Sequence, residues 1–171
     1  MTIIMYDRER TGKMANQNDT QLTFTRIFDA PSELVFKAFA EAEQISQWWP
    51  PKGWAMPVCS IDFRPGGEWR YCIRNAQGEE HWARAVYRKI VPEQQIVYWD
   101  EIVDAQGNTI QGLPSKTVTV TFEDLGGQTK LDVLVQLETV ADRLKLAEMG
   151  FIRGFGQTLD NLERHLVGIK Q

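Results

Sequence analysis

Between Lys116 and Glu138 the sequence alternates with a period of two. Val118, Val120 and Phe122 interleave with Thr117, Thr119 and Thr121. After Asp124-Leu125-Gly126-Gly127-Gln128 the pattern resumes, with Leu131, Val133, Val135 and Leu137 set against Lys130, Asp132, Gln136 and Glu138. Such alternation predicts strands with one apolar and one polar face, and the glycine pair between them predicts a hairpin. A sheet that is apolar on one face only has to be covered there. The cover follows at once: from about Ala141 to Leu166, Phe151, Ile152, Phe155, Leu159, Leu162 and Leu166 recur at steps of three and four. This predicts one long amphipathic helix of roughly 39 Å, enough to cross a sheet.

The earlier part of the chain supplies the rest of that sheet. Leu22 to Phe28 alternates as a strand. Asp29-Ala30-Pro31-Ser32 then turns the chain into a helix carrying Leu34, Val35, Ala38 and Phe39, with Pro31 pre-setting φ and Glu33 in the first turn. A second short helix, Ala42 to Trp48, should end before Pro50-Pro51. Strands are expected at Met56 to Phe63, Glu68 to Arg74, near 79–91 and at 94–103, with Arg64-Pro65-Gly66-Gly67 as a turn whose two glycines can take positive φ. The expected class is therefore α+β: seven antiparallel strands, two short helices after the first strand and a long C-terminal helix, in a single domain over residues 21–168. Residues 1–20 lack a clean period and are expected to be a mobile leader. A twisted antiparallel sheet curls, and a helix ~10–12 Å across need not fill the trough. The space left between helix and sheet is an expected hydrophobic cavity.

Composition limits what such a cavity protein can do. With 171 residues the chain is long enough to bury ~70% of its unfolded surface without a disulfide or metal. Lys+Arg 19 against Asp+Glu 23 gives −4, which disfavours a phosphate-bound nucleic-acid partner or a polybasic membrane anchor. No run approaches the ~18 apolar residues of a membrane-spanning helix. Cys59 and Cys72, on neighbouring strands and not in a C-x-x-C motif, read as free thiols in a reducing, cytoplasmic setting. No cofactor is expected. The two histidines are too far apart, and lack an HExxH pattern, for zinc. Gly154-Phe155-Gly156 follows no βα junction and has Leu159 where a dinucleotide loop needs its third glycine. Gly150, Gly154 and Gly156 nevertheless fall within a helical pattern, each costing ~1 kcal/mol against alanine. They either permit close packing or a kink, or leave room beside a ligand.

The aromatic load points to the cavity. Indoles and phenols suit a wet-rimmed apolar pocket because each carries a polar atom that wants a partner. Phe39, Trp69, Tyr71, Trp82, Ile152 and Phe155 are the expected walls, with Tyr98 beside them. Trp48-Trp49, before a Pro-Pro-Lys-Gly loop, is expected at the mouth, and Arg84 or Asp100 as a polar anchor. The expected partner is a small hydrophobic molecule, and a homodimer is left open. An alternative is acid/base catalysis by His81 with Asp100 or Glu101. His165, in the last turns of the final helix, reads as a surface residue.

Several motifs occur in one order: Phe28-Asp29-Ala30-Pro31; Trp48-Trp49-Pro50-Pro51-Lys52-Gly53-Trp54; Asp62-Phe63-Arg64-Pro65-Gly66-Gly67-Glu68-Trp69; Ile90-Val91-Pro92-Glu93; and Gly150-Phe151. Together, over roughly residues 21–167, they resemble the activator-of-heat-shock-protein-ATPase homologue family (AHSA1-like domain) of the START-related, birch-pollen-allergen-like helix-grip (SRPBCC) superfamily. Phe151 stands where a tryptophan is more usual. The resemblance implies a helix-grip fold similar to lipid- and small-molecule-binding domains. It also brings in two alternatives, a hydrolase- or cyclase-like enzyme of the same fold and a chaperone-accessory protein, the latter calling for a large exposed apolar patch.

Overall fold

In the computed structural model, which describes residues 3–6, 14–17 and 19–170, the seven expected strands form one curved antiparallel sheet. In chain order the elements are β1 (Ile3–Tyr6), β2 (Met14–Gln17), β3 (Gln21–Phe28), α1 (Ser32–Ala40), α2 (Ala42–Trp48), β4 (Trp54–Ile61), β5 (Glu68–Asn75), β6 (Glu80–Val91), β7 (Gln95–Val103), β8 (Lys116–Asp124), β9 (Thr129–Gln136), α3 (Val140–Glu148) and α4 (Phe151–Lys170). The sheet order is β1-β2-β3-β9-β8-β7-β6-β5-β4.

Two expectations need correction. Part of the supposed leader is sheet: β1 pairs with β2, and β2 with β3, extending the seven strands to nine. Asp19 and Thr20 are also tied in, through Arg143 Nε donating to the Asp19 carbonyl at 3.0 Å and Leu137 N–H donating to that of Thr20 at 2.9 Å. The remainder of residues 1–18 lies outside the described residues. The long terminal helix is in fact two. Gly150 takes φ +87°, a left-handed conformation that costs an L-residue roughly 1–2 kcal/mol and ends a helix at little cost for glycine. A kink is one of the readings open for the three glycines; at Gly150 the chain makes a full break, while Gly154 and Gly156 stay within α4, which alone crosses the sheet.

The core lies between the concave face and α4, because every second residue of each strand turns inward. Leu131, Val133 and Val135 on β9 and Val118, Val120 and Phe122 on β8 are all buried, while the threonines and charges between them face out. Helices α1 and α2 close one end of the trough. Phe36 and Phe39 meet Phe122 edge-on at ring-centroid distances of 5.4 and 5.5 Å, and Phe39 meets Trp48 at 4.8 Å. The β4–β5 turn explains its two glycines differently. Gly66 needs its φ of +84°, whereas a Cβ on Gly67 would lie 2.0 Å from the Asp62 carbonyl oxygen. Cys59 pairs with Tyr71 and Val58 with Cys72, so the two thiols point to opposite faces and both are free.

Candidate functional site

Helices α1 and α2 plug one end of the trough, but among the described residues nothing equivalent fills the other. There, beside the break at Gly150, lies a pocket of about 270 Å³ that opens to solvent. Its floor is a row of inward positions across four strands: Tyr71 and Ile73 on β5, Tyr98, Asp100 and Ile102 on β7, Lys116 and Val118 on β8, and Val135 on β9. The roof is Leu146 and Met149 at the end of α3, Gly150, and Phe151, Gly154, Phe155 and Thr158 on α4. Trp49 and Pro51 form one side wall. Gly154 has nothing within 4 Å of where a Cβ would sit, so the missing side chain leaves open space over the floor.

One ion pair stands among these apolar groups. Asp100 and Lys116 are direct cross-strand partners. Lys116 Nζ donates to Asp100 Oδ1 at 2.7 Å, with side-chain exposures of 14% and 12%. The ammonium also lies 5.3 Å from the centre of the Phe151 ring, within reach of a cation–π attraction. Tyr71 and Tyr98 flank the pair. Burial, and next the Asp100 charge, push both phenols well above their ordinary value, and a Trp49 N–H partly offsets the rise at Tyr71. Both hydroxyls therefore stay protonated and can donate. The Tyr98 hydroxyl, on a residue 4% exposed, makes no hydrogen bond among the described residues.

The structure brings together Trp49, Tyr71, Tyr98, Asp100 and Phe155 from the expected set. It places the others elsewhere. Phe39 and Trp48 belong to the plugged end, where the Trp48 N–H donates to the Ala38 carbonyl at 3.0 Å. Trp69 is a layer below the pocket, packed on Trp49 at 4.9 Å and Tyr71 at 4.7 Å. Ile152 packs on the core one position from Phe151, which takes the lining place. Trp82 and Arg84 alternate with Ala83 and Ala85, and it is Ala85 that pairs with Asp100, so both lie on the convex face. Arg84 there bonds Glu68 at 3.1 and 3.2 Å and Glu101 at 3.3 Å, and is no anchor for the pocket.

The acid/base pairing of His81 does not form. Its ring nitrogen lies 3.2 Å from Glu79, with both side chains more than half exposed, while Asp100 is held by Lys116 and Glu101 by Arg84 and Thr109. His165 is half-buried, 3.1 Å from Gln44, and desolvation lowers its pKa from the ordinary 6.5. Lys116 is the main residue that sequence reasoning missed. It shares the parity of Val118, Val120 and Phe122, so the same alternation places it inside.

Fold and pocket together define the class: an α+β helix-grip domain whose curved sheet holds a terminal helix and leaves one end of the trough open. The chain belongs to the family described as Activator of Hsp90 ATPase homolog 1-like protein, whose model matches residues 29–167. Solved structures agree on the fold. A protein from Arthrobacter aurescens superposes with a TM-score of 0.85 at 20% identity, over 90% of this chain and 91% of that one. A protein from Staphylococcus epidermidis gives 0.75 at 26%, over 89% and 92%. The AHSA1 protein of Silicibacter pomeroyi gives 0.72 at 20%, over 88% and 99%. Among curated proteins the sequence has no match.

Proposed function

We propose that this protein binds a small, largely apolar or aromatic molecule in the pocket between the α3–α4 break and the concave face, and that it does so as a binding protein in the cytoplasm. The observation that carries the reading is the pocket itself: about 270 Å³, walled by Trp49, Tyr71, Phe151 and Phe155, in a sheet whose other end is packed shut. Apolar cavities of ~150 Å³ take up one benzene-sized ring, so this volume suits about two. Two free thiols, Cys59 and Cys72, accord with a reducing compartment. Burying ~150 Å² of ligand at ~25 cal/mol/Å² contributes about 4 kcal/mol. That alone is about millimolar, and one or two charge-assisted hydrogen bonds at ~1.5–3 kcal/mol each bring micromolar binding within reach.

The test combines native mass spectrometry with quenching of tryptophan fluorescence by two-ring aromatics. A one-to-one complex is expected, lost when Gly154→Leu fills the space over the floor while the melting temperature holds. Absence of any complex or quenching at millimolar ligand overturns the reading.

A further inference from the structure

We infer that the pocket selects an uncharged aromatic molecule carrying a hydroxyl group, in preference to a carboxylate, an amine or a bare hydrocarbon; this rests on the binding role proposed above. Three polar groups on the pocket have hydrogen-bonding capacity left over. Lys116 Nζ commits one N–H to Asp100 Oδ1 and lies 5.3 Å from the centre of the Phe151 ring. The second oxygen of Asp100 makes no hydrogen bond among the described residues, and neither does the Tyr98 hydroxyl. None of the three atoms is wholly cut off from solvent, so water meets them in the empty pocket, and a ligand that displaces that water has to replace its hydrogen bonds.

Their arrangement decides which ligand. Among the described residues, Asp100 and Lys116 are the only charged ones lining the pocket, and they cancel. A carboxylate drawn to Lys116 meets Asp100, whose oxygen is 2.7 Å from the same nitrogen. An amine drawn to Asp100 meets Lys116. Either ion also loses its water in a site that offers no net opposite charge, a cost of several kcal/mol. A hydroxyl avoids both conflicts: its O–H donates to the spare Asp100 oxygen, and its oxygen accepts from Lys116 or Tyr98. The walls supply ring faces and edges for an aromatic body, since Phe151 and Phe155 stack at 5.5 Å and Trp49 stands edge-on to Phe155 at 6.0 Å.

Four probes of one size separate the possibilities: 2-naphthol, naphthalene, 2-naphthoate and 2-naphthylmethylamine, titrated at pH 7 against the full chain by tryptophan fluorescence and calorimetry. In the wild type 2-naphthol should bind about tenfold tighter than each of the others. Tyr98→Phe should weaken 2-naphthol by about fivefold and leave naphthalene unchanged. Asp100→Asn, which leaves Lys116 without its counter-charge, should raise 2-naphthoate binding by at least about tenfold. If naphthalene binds as well as 2-naphthol, or either ion binds best to the wild type, the selectivity is wrong while the pocket reading survives. If none of the four binds, the pocket reading itself fails. The wild-type series decides even if a variant does not fold.

Discussion

The two ends of the same trough differ in how they are filled. At the α1–α2 end, Phe36, Phe39, Trp48 and Phe122 meet edge to face and are all under a tenth exposed. At the α3–α4 end, the helix stops at Gly150 and restarts, Gly154 presents no side chain, and Phe151 is only half-buried. Sheet curvature and inward parity are shared. What differs is whether helical side chains reach the floor. The packed end supplies stability and the open end leaves space, so function and cohesion occupy opposite ends of one core.

Identical truncations at the two ends give the largest contrast. Phe122→Ala removes a ring that touches both Phe36 and Phe39 and should cost ~3–5 kcal/mol, read from urea or thermal unfolding. Phe151→Ala, at the half-buried pocket rim, should cost about 1–2 kcal/mol. Equal losses would mean that the open end is packed as tightly as the closed one. The two pocket glycines sharpen the comparison with smaller effects of opposite sign. Gly154→Ala meets nothing within 4 Å in a helix interior and should stabilise by ~0.5–1 kcal/mol while narrowing the pocket. Gly150→Ala is equally free of clashes but must hold φ +87°, and should destabilise by ~1 kcal/mol or more. If both substitutions stabilise, the break at Gly150 is not a fixed feature.

The smallest effect concerns His165, which joins α4 to α2 through Gln44. Its folded pKa lies below the ordinary 6.5 because of desolvation, so the unfolded chain takes up the proton first. Stability is full above about pH 6.5 and declines as pH falls below that value towards the folded pKa. His165→Gln should flatten that decline in unfolding curves measured between about pH 7 and 5.5. An unchanged slope would assign it to other groups.

Much of the fold was legible because its signals are local. Period-two alternation placed β8 and β9 almost to the residue, and Pro50-Pro51 ended α2 where expected. The leader misled because β1 and β2 are four-residue strands, too short to show alternation, and owe their pairing to the β3 edge. Six of the eleven expected site residues lie elsewhere for a related reason. The aromatic content marks Trp69, Trp82 and Trp48 as plausible walls, but composition does not say which ring is one layer too deep or on which face it falls. Lys116 was readable from parity alone and was obscured because a lysine at the start of a strand is ordinarily solvated.

By itself the sequence determined the periods: which segments are strands, which are helices, and that one sheet face must be covered. Those follow from backbone geometry repeating every two or 3.6 residues, within a few neighbours of each position. Only the tertiary structure decided that Asp100 and Lys116 meet across a strand pair, that Arg84 turns away from them, and that the cover breaks above them. Each of these depends on register and on packing between residues far apart in the chain, where a shift of one position sends a side chain to the other face.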